Sequence, residues 1–283
     1  MSVSILPSDP ELTRMHGRAE LGFVHVDGAD RLAHLYQRAP LRVLFPDPPA
    51  DEPPQAALVT TSGGLAGGDV LELSVHTGPR ARALVVGSAA EKIYRSTGAD
   101  TVMDVHLTID AAARLEYLPQ ETILFDGARL RRTTRIDAAA DARVLVGEML
   151  VFGRTAKGER LHTGLLREAW EIRRAGRLVW ADALHMDTDL RALLDAAACF
   201  DGAVAAASLV LLTDDATDLR DRIRTDHADY AGRFGAGIIN GVLVARWLDR
   251  DAQSLRAAFG QTWKTLRHQA LGLPAHLPRL WDI

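Results

Sequence analysis

Polar and apolar residues alternate along most of the first two thirds of the chain. Leu71, Leu73 and Val75 share one face of a predicted strand, and the polar residues between them share the other. Residues 105–109 show the same alternation, which is typical of a half-buried strand. Shorter apolar runs predict further strands at residues 55–61, 83–86, 115–118, 129–136, 143–152, 165–173 and 178–181.

These predicted strands follow one another without helical periods between them, at intervals of roughly 10 to 15 residues. The pattern predicts a mainly β body of largely antiparallel strands at residues 1–187. A mixed α/β region at residues 188–283 is expected to pack on this body as part of one continuous unit. No internal repeat of fixed period is evident.

Helical signals appear in the last third of the chain. Asp189 is a candidate N-cap for a helix at residues 190–200, and Asp214 or Asp215 is one for a helix at residues 216–233. Buried strands are predicted at residues 203–212 and 238–247.

A long amphipathic helix is predicted next, because five apolar residues recur at helical spacing: Leu255, Phe259, Trp263, Leu266 and Ala270. The chain then ends in a segment with two prolines and the apolar residues Leu280 and Trp281. Prolines prevent further helix, and the large apolar side chains need a surface to pack on. We therefore expect this tail to dock on the rest of the molecule.

Composition narrows the classes of function. The 283 residues are 47% hydrophobic and 25% charged, as in an ordinary globular protein. A formal net charge of −4 lacks the basic field that nucleic-acid binding usually requires. Cys199 is the single cysteine, residues 1–10 lack a secretion signal, and no apolar run reaches about 18 residues. These features predict a cytoplasmic protein that binds neither nucleic acid nor membrane.

Four glycines, Gly63, Gly64, Gly67 and Gly68, precede Asp69. Gly63 and Gly68 have the outer spacing of a phosphate-binding loop, but Asp69 stands where such a loop carries its lysine. A tight connection between strands is therefore the favoured interpretation. The ten histidines form no motif that would place two ligands on one metal ion, so a stable metal site is not predicted.

Residues 118–127 place Glu121 and Asp126 among apolar residues, where general acid–base catalysis would require a shifted carboxyl pKa. A turn at Asp126 and Gly127 is the favoured interpretation, and a hydrolase is the alternative. Four nearby arginines predict an exposed basic strand face or a surface for a carboxylate-rich partner: Arg129, Arg131, Arg132 and Arg135.

Seven blocks of the sequence together resemble the urease accessory proteins of the UreD family, called UreH in some organisms. The blocks are residues 35–45, 62–69, 88–96, 118–128, 148–154, 158–159 and 271–281. They span nearly the whole chain in the family's order, and residues 118–128 carry the strongest likeness. The chain departs from the family at Arg267 and His268, where members usually have an Arg-Pro pair.

The resemblance implies a helical stack of strands with α-helices in the C-terminal third. It also implies a non-enzymatic maturation factor, a chaperone that binds apo-urease and the helical accessory protein UreF. Through UreF, the GTPase UreG would deliver nickel(II) for metallocentre assembly. Nickel would be in transit along a polar path, with no tightly bound cofactor, because transfer requires ligands that release the metal.

The matching motif positions supply candidate residues. Four carboxylates are candidates for lining a transient nickel path or anchoring turns: Asp69, Glu121, Asp126 and Glu148. Four other residues are candidates for the strand framework or a partner surface: Ser88, Lys92, Tyr94 and Arg154. Five apolar residues are candidates for binding a partner, with packing in the chain's own core as the alternative: Leu255, Phe259, Trp263, Leu280 and Trp281.

Two rival functions stay open. A hydrolase would need Glu121 and Asp126 to face one pocket, with at least one of them titrating unusually. A metal-independent interaction protein would use the proline-rich segment at residues 46–54 and the C-terminal tail.

Overall fold

The computed structural model describes residues 14–281 except residue 215. Strands make up 51% of the structure and helices 16%. Two sequence predictions fall outside the described residues. They concern the lack of a secretion signal in residues 1–10 and the helix cap at Asp215. No helix in the described part of the chain is both long and apolar enough to span a bilayer.

One sheet has seven strands, and we call it the first sheet. Its strands are β1 (His16–Val26), β2 (Ala29–Arg38), β5 (Val70–Thr77), β8 (Thr101–Ile109), β11 (Arg129–Ala138), β13 (Thr163–Arg174) and β14 (Arg177–Asp189). Their spatial order is β14-β13-β11-β8-β5-β1-β2, so β14 and β2 form the two edges.

The second sheet has ten strands. They are β3 (Leu41–Leu44), β4 (Gln55–Thr60), β6 (Arg82–Gly87), β7 (Glu91–Ile93), β9 (Arg114–Leu118), β10 (Thr122–Leu124), β12 (Arg143–Phe152), β15 (Ala205–Leu212), β16 (Arg233–Ile239) and β17 (Val242–Asp249). The main order is β16-β17-β15-β12-β9-β6-β4-β3, and the short strands β7 and β10 pair with each other while β10 also pairs with β12. Because β12 pairs with β15, this sheet is continuous across residue 187.

From β5 to β13 the chain passes back and forth between the two sheets and so forms a coil. Each turn of this coil stacks on the previous turn. The predicted β-rich stack with C-terminal helices is confirmed. The expectation of largely antiparallel strands is wrong, since nine strand pairs among the described residues are parallel and six are antiparallel. Successive turns of a coil run in the same direction, and period-two alternation reports which face is buried but not strand direction.

Three α-helices occur among the described residues: α1 (Leu190–Asp195), α2 (Ala216–Asp226) and α3 (Ala252–Leu271). The predicted cap of α1 is confirmed, because the Ala192 N–H donates to Asp189 Oδ1 at 3.0 Å. The helices predicted at residues 190–200 and 216–233 are too long. The backbone of Ala196 is extended, which ends α1, and the chain after α2 turns at residues 227–232 before β16 begins.

The single strand predicted at residues 238–247 is in fact the end of β16, a turn and most of β17. Asn240 and Gly241 both have positive φ, 49° and 81°. An Asn-Gly pair favours a two-residue hairpin turn, because both residues tolerate that conformation. The strands β1, β2 and β3, for which no prediction is made above, fill residues 16–44.

Apolar side chains form two layers. One lies between the two sheets, and the other lies between the second sheet and helices α2 and α3. The predicted apolar face of α3 is buried, with Leu255, Phe259 and Trp263 all at 0% exposure. Gly147 on β12 allows this close approach, since a Cβ atom there would overlap the Phe259 ring.

Candidate functional site

A cavity of about 200 Å³ lies between the two sheets. Strands β4, β5 and β8 contribute apolar wall, and the polar residues of the lining include Thr60, Glu91, Tyr117, Thr122 and Arg132. Residues of four matching sequence blocks line it, among them Gly63, Gly64, Ser88 and Lys92. The cavity therefore brings together residues of several motif blocks and buried polar groups.

Glu91 is a half-buried carboxylate in the wall of this cavity. Burial raises its pKa, against the effect of the Thr60 hydroxyl, which donates to Glu91 Oε2 at 2.5 Å. The Lys92 backbone N–H adds a 3.3 Å hydrogen bond. The carboxyl group of Glu91 thus lies beside the cavity.

Arg132, which lines the cavity, forms a buried group with Glu148 and Glu168, and we call these three residues the cavity cluster. Arg132 lies on β11 directly opposite Glu168 on β13, and its Nε donates to both Glu168 oxygens at 2.8 Å. Arg132 Nη2 lies 2.8 Å from Glu148 Oε2, and its Nη1 donates to the Thr122 hydroxyl at 2.9 Å. Trp170 Nε1 donates to Glu148 Oε1 at 3.0 Å.

The cavity cluster has two carboxylates and one guanidinium, all less than 10% exposed. Burial raises the pKa of Glu168 well above its usual range, and the neighbouring Glu148 raises it further, against the opposing charge of Arg132. Burial alone would lower the pKa of Arg132, but the two carboxylates raise it. When both carboxyl groups are ionised, the cluster has a net charge of −1, because it contains only one arginine. A buried site with such a charge favours binding of a proton or of a further cation.

Asp69, a predicted path residue, closes the glycine turn. Its Oδ1 accepts from the Met15 N–H and its Oδ2 from the Ala66 N–H, both at 2.8 Å. The side chain is buried and both of its oxygens are used by backbone donors. Of the two roles expected for Asp69, a nickel path or a turn anchor, these contacts are those of a turn anchor.

Asp126 anchors a second turn. Its Oδ1 accepts backbone N–H groups of His162 and Thr163 at 2.9 and 3.1 Å, and its Oδ2 lies 2.8 Å from Arg95 Nη2. Burial raises the pKa of Asp126, but the two N–H donors and the Arg95 charge together lower it below its usual range. A carboxylate held in its ionised form in this way is a poor general acid.

Glu121 forms an ion pair with Arg256 on α3. Arg256 also donates to the carbonyl of Trp281 at 2.9 Å and lies 4.1 Å from the centre of the Trp281 ring. Glu121 and Asp126 are thus engaged in separate ion pairs with different elements. Of the four predicted path carboxylates, Glu148 is the one that belongs to the cavity cluster.

The five apolar residues proposed for partner binding do not form an exposed surface. Leu255, Phe259 and Trp263 pack against the second sheet, and Trp281 stacks on Phe259 with ring centres 5.7 Å apart and is only 4% exposed. Leu280 is half-buried in the same layer. This corrects the expectation of a binding face, because the outer side of the second sheet is apolar and these side chains cover it.

Tyr94 and Arg154 pack on Phe125 next to the cavity wall. The Tyr94 ring meets Phe125 edge-on at 5.0 Å, and the Arg154 guanidinium lies 4.3 Å from the centre of the Phe125 ring. The Tyr94 hydroxyl donates to the Gly63 carbonyl at 3.0 Å, and a Cβ on Gly64 (φ 145°) would overlap Tyr94. These contacts fix the glycine segment against the strands.

Sequence reasoning missed Glu91, Tyr117 and Glu168, and it assigned Arg132 to an exposed basic face. That assignment is wrong, because Arg132 is 5% exposed. The alternation of β11 indicated this burial, because Arg132 lies at an even spacing from Leu130 and Ile136 and so shares their buried face. Within the described ranges, no three His, Cys, Asp or Glu side chains converge as ligands of one metal ion.

The coiled stack of strands, with a cavity between its two sheets, defines this molecule as a β-solenoid-like protein. The sequence profile of the UreD urease accessory protein matches residues 15–282, and the chain belongs to that family. It is 46% identical to the urease accessory protein UreD of Magnetococcus marinus, over all of this chain and 99% of that protein. It is 40% identical to UreD 3 of Bradyrhizobium sp. strain BTAi1, over 96% of this chain and 95% of the relative. UreD of Rhodopseudomonas palustris strain HaA2 is 38% identical, over 95% and 93% respectively.

Proposed function

We propose that this protein is a cytoplasmic, non-enzymatic maturation factor for urease. It binds apo-urease together with a UreF-like helical accessory protein and, through that protein, a UreG-like GTPase. It helps to pass nickel(II) to the urease active site. Family membership supports the accessory role, and the cavity cluster is the observation that carries the transfer step.

The charge of the cavity cluster suits a cation in transit. Arg132 neutralises one carboxylate, so an ionised second carboxylate can attract a divalent cation. Oxygen ligands hold nickel(II) less tightly than imidazole or thiolate ligands do, which favours release. Nickel is the cargo of this protein in the proposal and not its resident cofactor.

The first test is the nickel content and activity of urease co-expressed with the other accessory proteins, with and without this chain. We expect nickel-poor, inactive urease when the chain is absent. Fully loaded urease in both cases would contradict the maturation role.

A second test separates the cavity from the other motif carboxylates. Glu148→Gln and Glu168→Gln each replace one carboxyl group of the cavity cluster by an amide that cannot ionise, and we expect at least a tenfold drop in nickel delivered per urease. Glu121→Gln is the matched control, because it makes the same chemical change in the pair with Arg256. Equal losses in all three variants would point to a general structural effect and not to passage through the cavity.

Binding of partners is measured in the same experiment. The neutral variants should still co-purify with urease and the accessory proteins, because the cavity cluster is buried. Loss of nickel delivery with intact binding is the result expected for a transfer path. Loss of both would place these residues in the framework instead.

A further inference from the structure

The two sheets end together at β2 and β3. Strand β2 is the last strand of the first sheet, β3 is the last strand of the second, and the two strands contact each other. Gln37 bridges them, because its side-chain oxygen accepts the Val43 N–H at 2.8 Å. This end of the stack has an unpaired strand edge in each sheet among the described residues.

Apolar side chains stay exposed at this end. Leu32 and Leu35 on β2 are 36% and 39% exposed, Tyr36 is 42% and Leu44 on β3 is 60% exposed. Phe45, next to β3, is 41% exposed. Six of the nine large apolar side chains that are exposed in the described part of the chain lie within residues 26–45. We call Leu32, Leu35, Tyr36, Leu44 and Phe45 the open-end patch.

Part of the patch continues the core. Leu35 lies opposite Leu21 and Leu32 lies opposite Phe23, and both partners on β1 are almost completely buried. Residues directly opposite each other in an antiparallel pair share one face of the sheet. Leu32 and Leu35 therefore point to the inner side of the first sheet but extend beyond the cover that the second sheet provides.

The opposite edge of the first sheet is protected. Asn240, in the turn between β16 and β17, donates to the Val179 carbonyl of β14 at 2.8 Å. Arg246 of β17 pairs with Asp182 of β14 at 2.5 Å. Edge strands are commonly protected by charges or by a covering element, whereas the centre of β2 from Leu32 to Tyr36 carries no Lys, Arg, Asp or Glu.

The charges around the patch define what would cover it. Arg31, Arg38 and Arg42 are exposed there, while Asp30 is engaged by Arg82 at 2.7 Å and by His25 at 2.8 Å. Over residues 26–47 a second copy of this chain would bring the same three arginines but two exposed carboxylates, Asp27 and Asp47, so two copies would meet with an excess of positive charge. An apolar partner that carries carboxylates matches the patch better.

We propose that the open-end patch is the docking surface for a different protein, which adds an extended apolar segment to the edge of β2. Arg31 and Arg38 are seven residues apart, about 23 Å at the rise of a strand, so carboxylates near both ends of that segment would pair with them. Main-chain hydrogen bonds would supply affinity, and the side chains of the patch would supply specificity. Only the identity of the partner rests on the proposed function, which places it among urease and the other accessory proteins.

The test uses the full chain co-expressed with urease and the accessory proteins. A Leu32→Lys/Leu35→Lys variant should reduce the amount of co-purified complex at least tenfold, and Arg31→Glu/Arg38→Glu should reduce it in a salt-dependent way. Leu178→Lys is the matched control, because Leu178 is a 46% exposed leucine on the opposite edge strand. In the wild-type complex, amide hydrogen exchange at residues 29–38 should slow at least tenfold relative to the free chain.

The outcomes separate this inference from the proposed function. A wild-type complex that forms with unchanged exchange at β2, or normal assembly by the double lysine variant, would overturn the docking surface and leave the maturation role intact. Absence of any complex with the wild-type chain would overturn both. A free wild-type dimer that the lysine variant converts to monomer would identify a second copy as the occupant, contrary to the inference. Unchanged circular dichroism and unfolding midpoint establish that the lysine variant is folded.

Discussion

Two buried clusters in this molecule have the same composition, one arginine and two glutamates, but different surroundings. The cavity cluster joins three strands beside an internal space. The second cluster, which we call the tail cluster, consists of Glu52, Glu116 and Arg267. Arg267 on α3 pairs with Glu52 and lies 2.8 Å from Glu116, and it also donates to the Pro274 carbonyl at 2.7 Å.

The tail cluster ties together segments that are far apart in sequence. Glu52 comes from the proline-rich segment, Glu116 from β9 and Pro274 from the tail. His276 adds a contact of 3.0 Å with Glu52. Similar charged groups thus hold distant segments together in the tail cluster and lie beside a cavity in the cavity cluster. A buried ion pair alone therefore does not identify a functional site.

Arg267→Met should produce the largest loss of stability. It leaves Glu116 and part of Glu52 buried without their cation, which costs about 3–5 kcal/mol of unfolding free energy. Urea unfolding measures the loss. Arg250→Met, in an exposed arginine, should change stability by less than about 0.5 kcal/mol, and a similar loss in both variants would contradict a special role for the tail cluster.

The pH dependence should separate Glu116 from the rest of the chain. Burial raises the pKa of Glu116 to about 7, although Arg267 lowers it. The folded state then holds a proton that the unfolded state, with a pKa near 4.5, has released. The stabilisation is complete below the unfolded pKa and is lost as the pH rises through about 7.

From pH 5 to pH 8 this group alone should remove about 2–3 kcal/mol of stability. Unfolding midpoints in urea at several pH values test this. In Glu116→Gln, the free energy of unfolding should fall less between pH 5 and pH 8. In Glu168→Gln, the share of this fall that Glu116 causes should remain. An unchanged slope in Glu116→Gln would contradict the assignment.

Neutralising one carboxylate of the cavity cluster should be milder. In Glu168→Gln, Arg132 keeps Glu148 as its counter-charge and the surplus negative charge disappears, so we expect a change of about 1 kcal/mol or less. Thermal or urea unfolding provides the measurement. A loss above about 3 kcal/mol would show that both carboxylates are required for the fold.

The smallest effect is expected for Glu121→Gln. Arg256 keeps its contacts with Gln120, the Trp281 carbonyl and the Trp281 ring, so the loss should be about 0.5 kcal/mol. The unfolding midpoint and the near-ultraviolet signal of tryptophan test whether the tail stays docked. A large change in that signal would mean that Glu121 is the main attachment of the tail.

Burial was predictable from the sequence where alternation was regular. The paired faces of β5 and β8 and the apolar face of α3 follow directly from periods of two and 3.6 residues. Strand direction was not predictable in this way, because it depends on which distant segments pair. The coil did leave a signal in three Ala-Arg pairs, in which Arg82, Arg114 and Arg143 align across β6, β9 and β12. Their spacing is unequal, which hides the repeat from a search for a fixed period.

The candidate site was harder to predict. The motif blocks led to Glu148, but Glu168 shares its strand with Glu171, and nothing local indicates which of the two pairs with a buried arginine. Arg132 was predictable from its register, since polar residues at buried positions of an alternating strand require a partner. The partner itself, on β13, is set by tertiary pairing.

The parallel coil also determines the order in which the chain can be assembled. Val102 pairs with Val70, and Leu130 pairs with Thr101, so each new strand joins one made about 30 residues earlier. A chain leaving the ribosome can therefore add turns one after another, starting from its N-terminal half. Helix α3 follows all the strands in the sequence, and until it emerges the outer apolar face of the second sheet lacks this cover. The interval before α3 docks is the period in which the nascent chain most needs protection from aggregation.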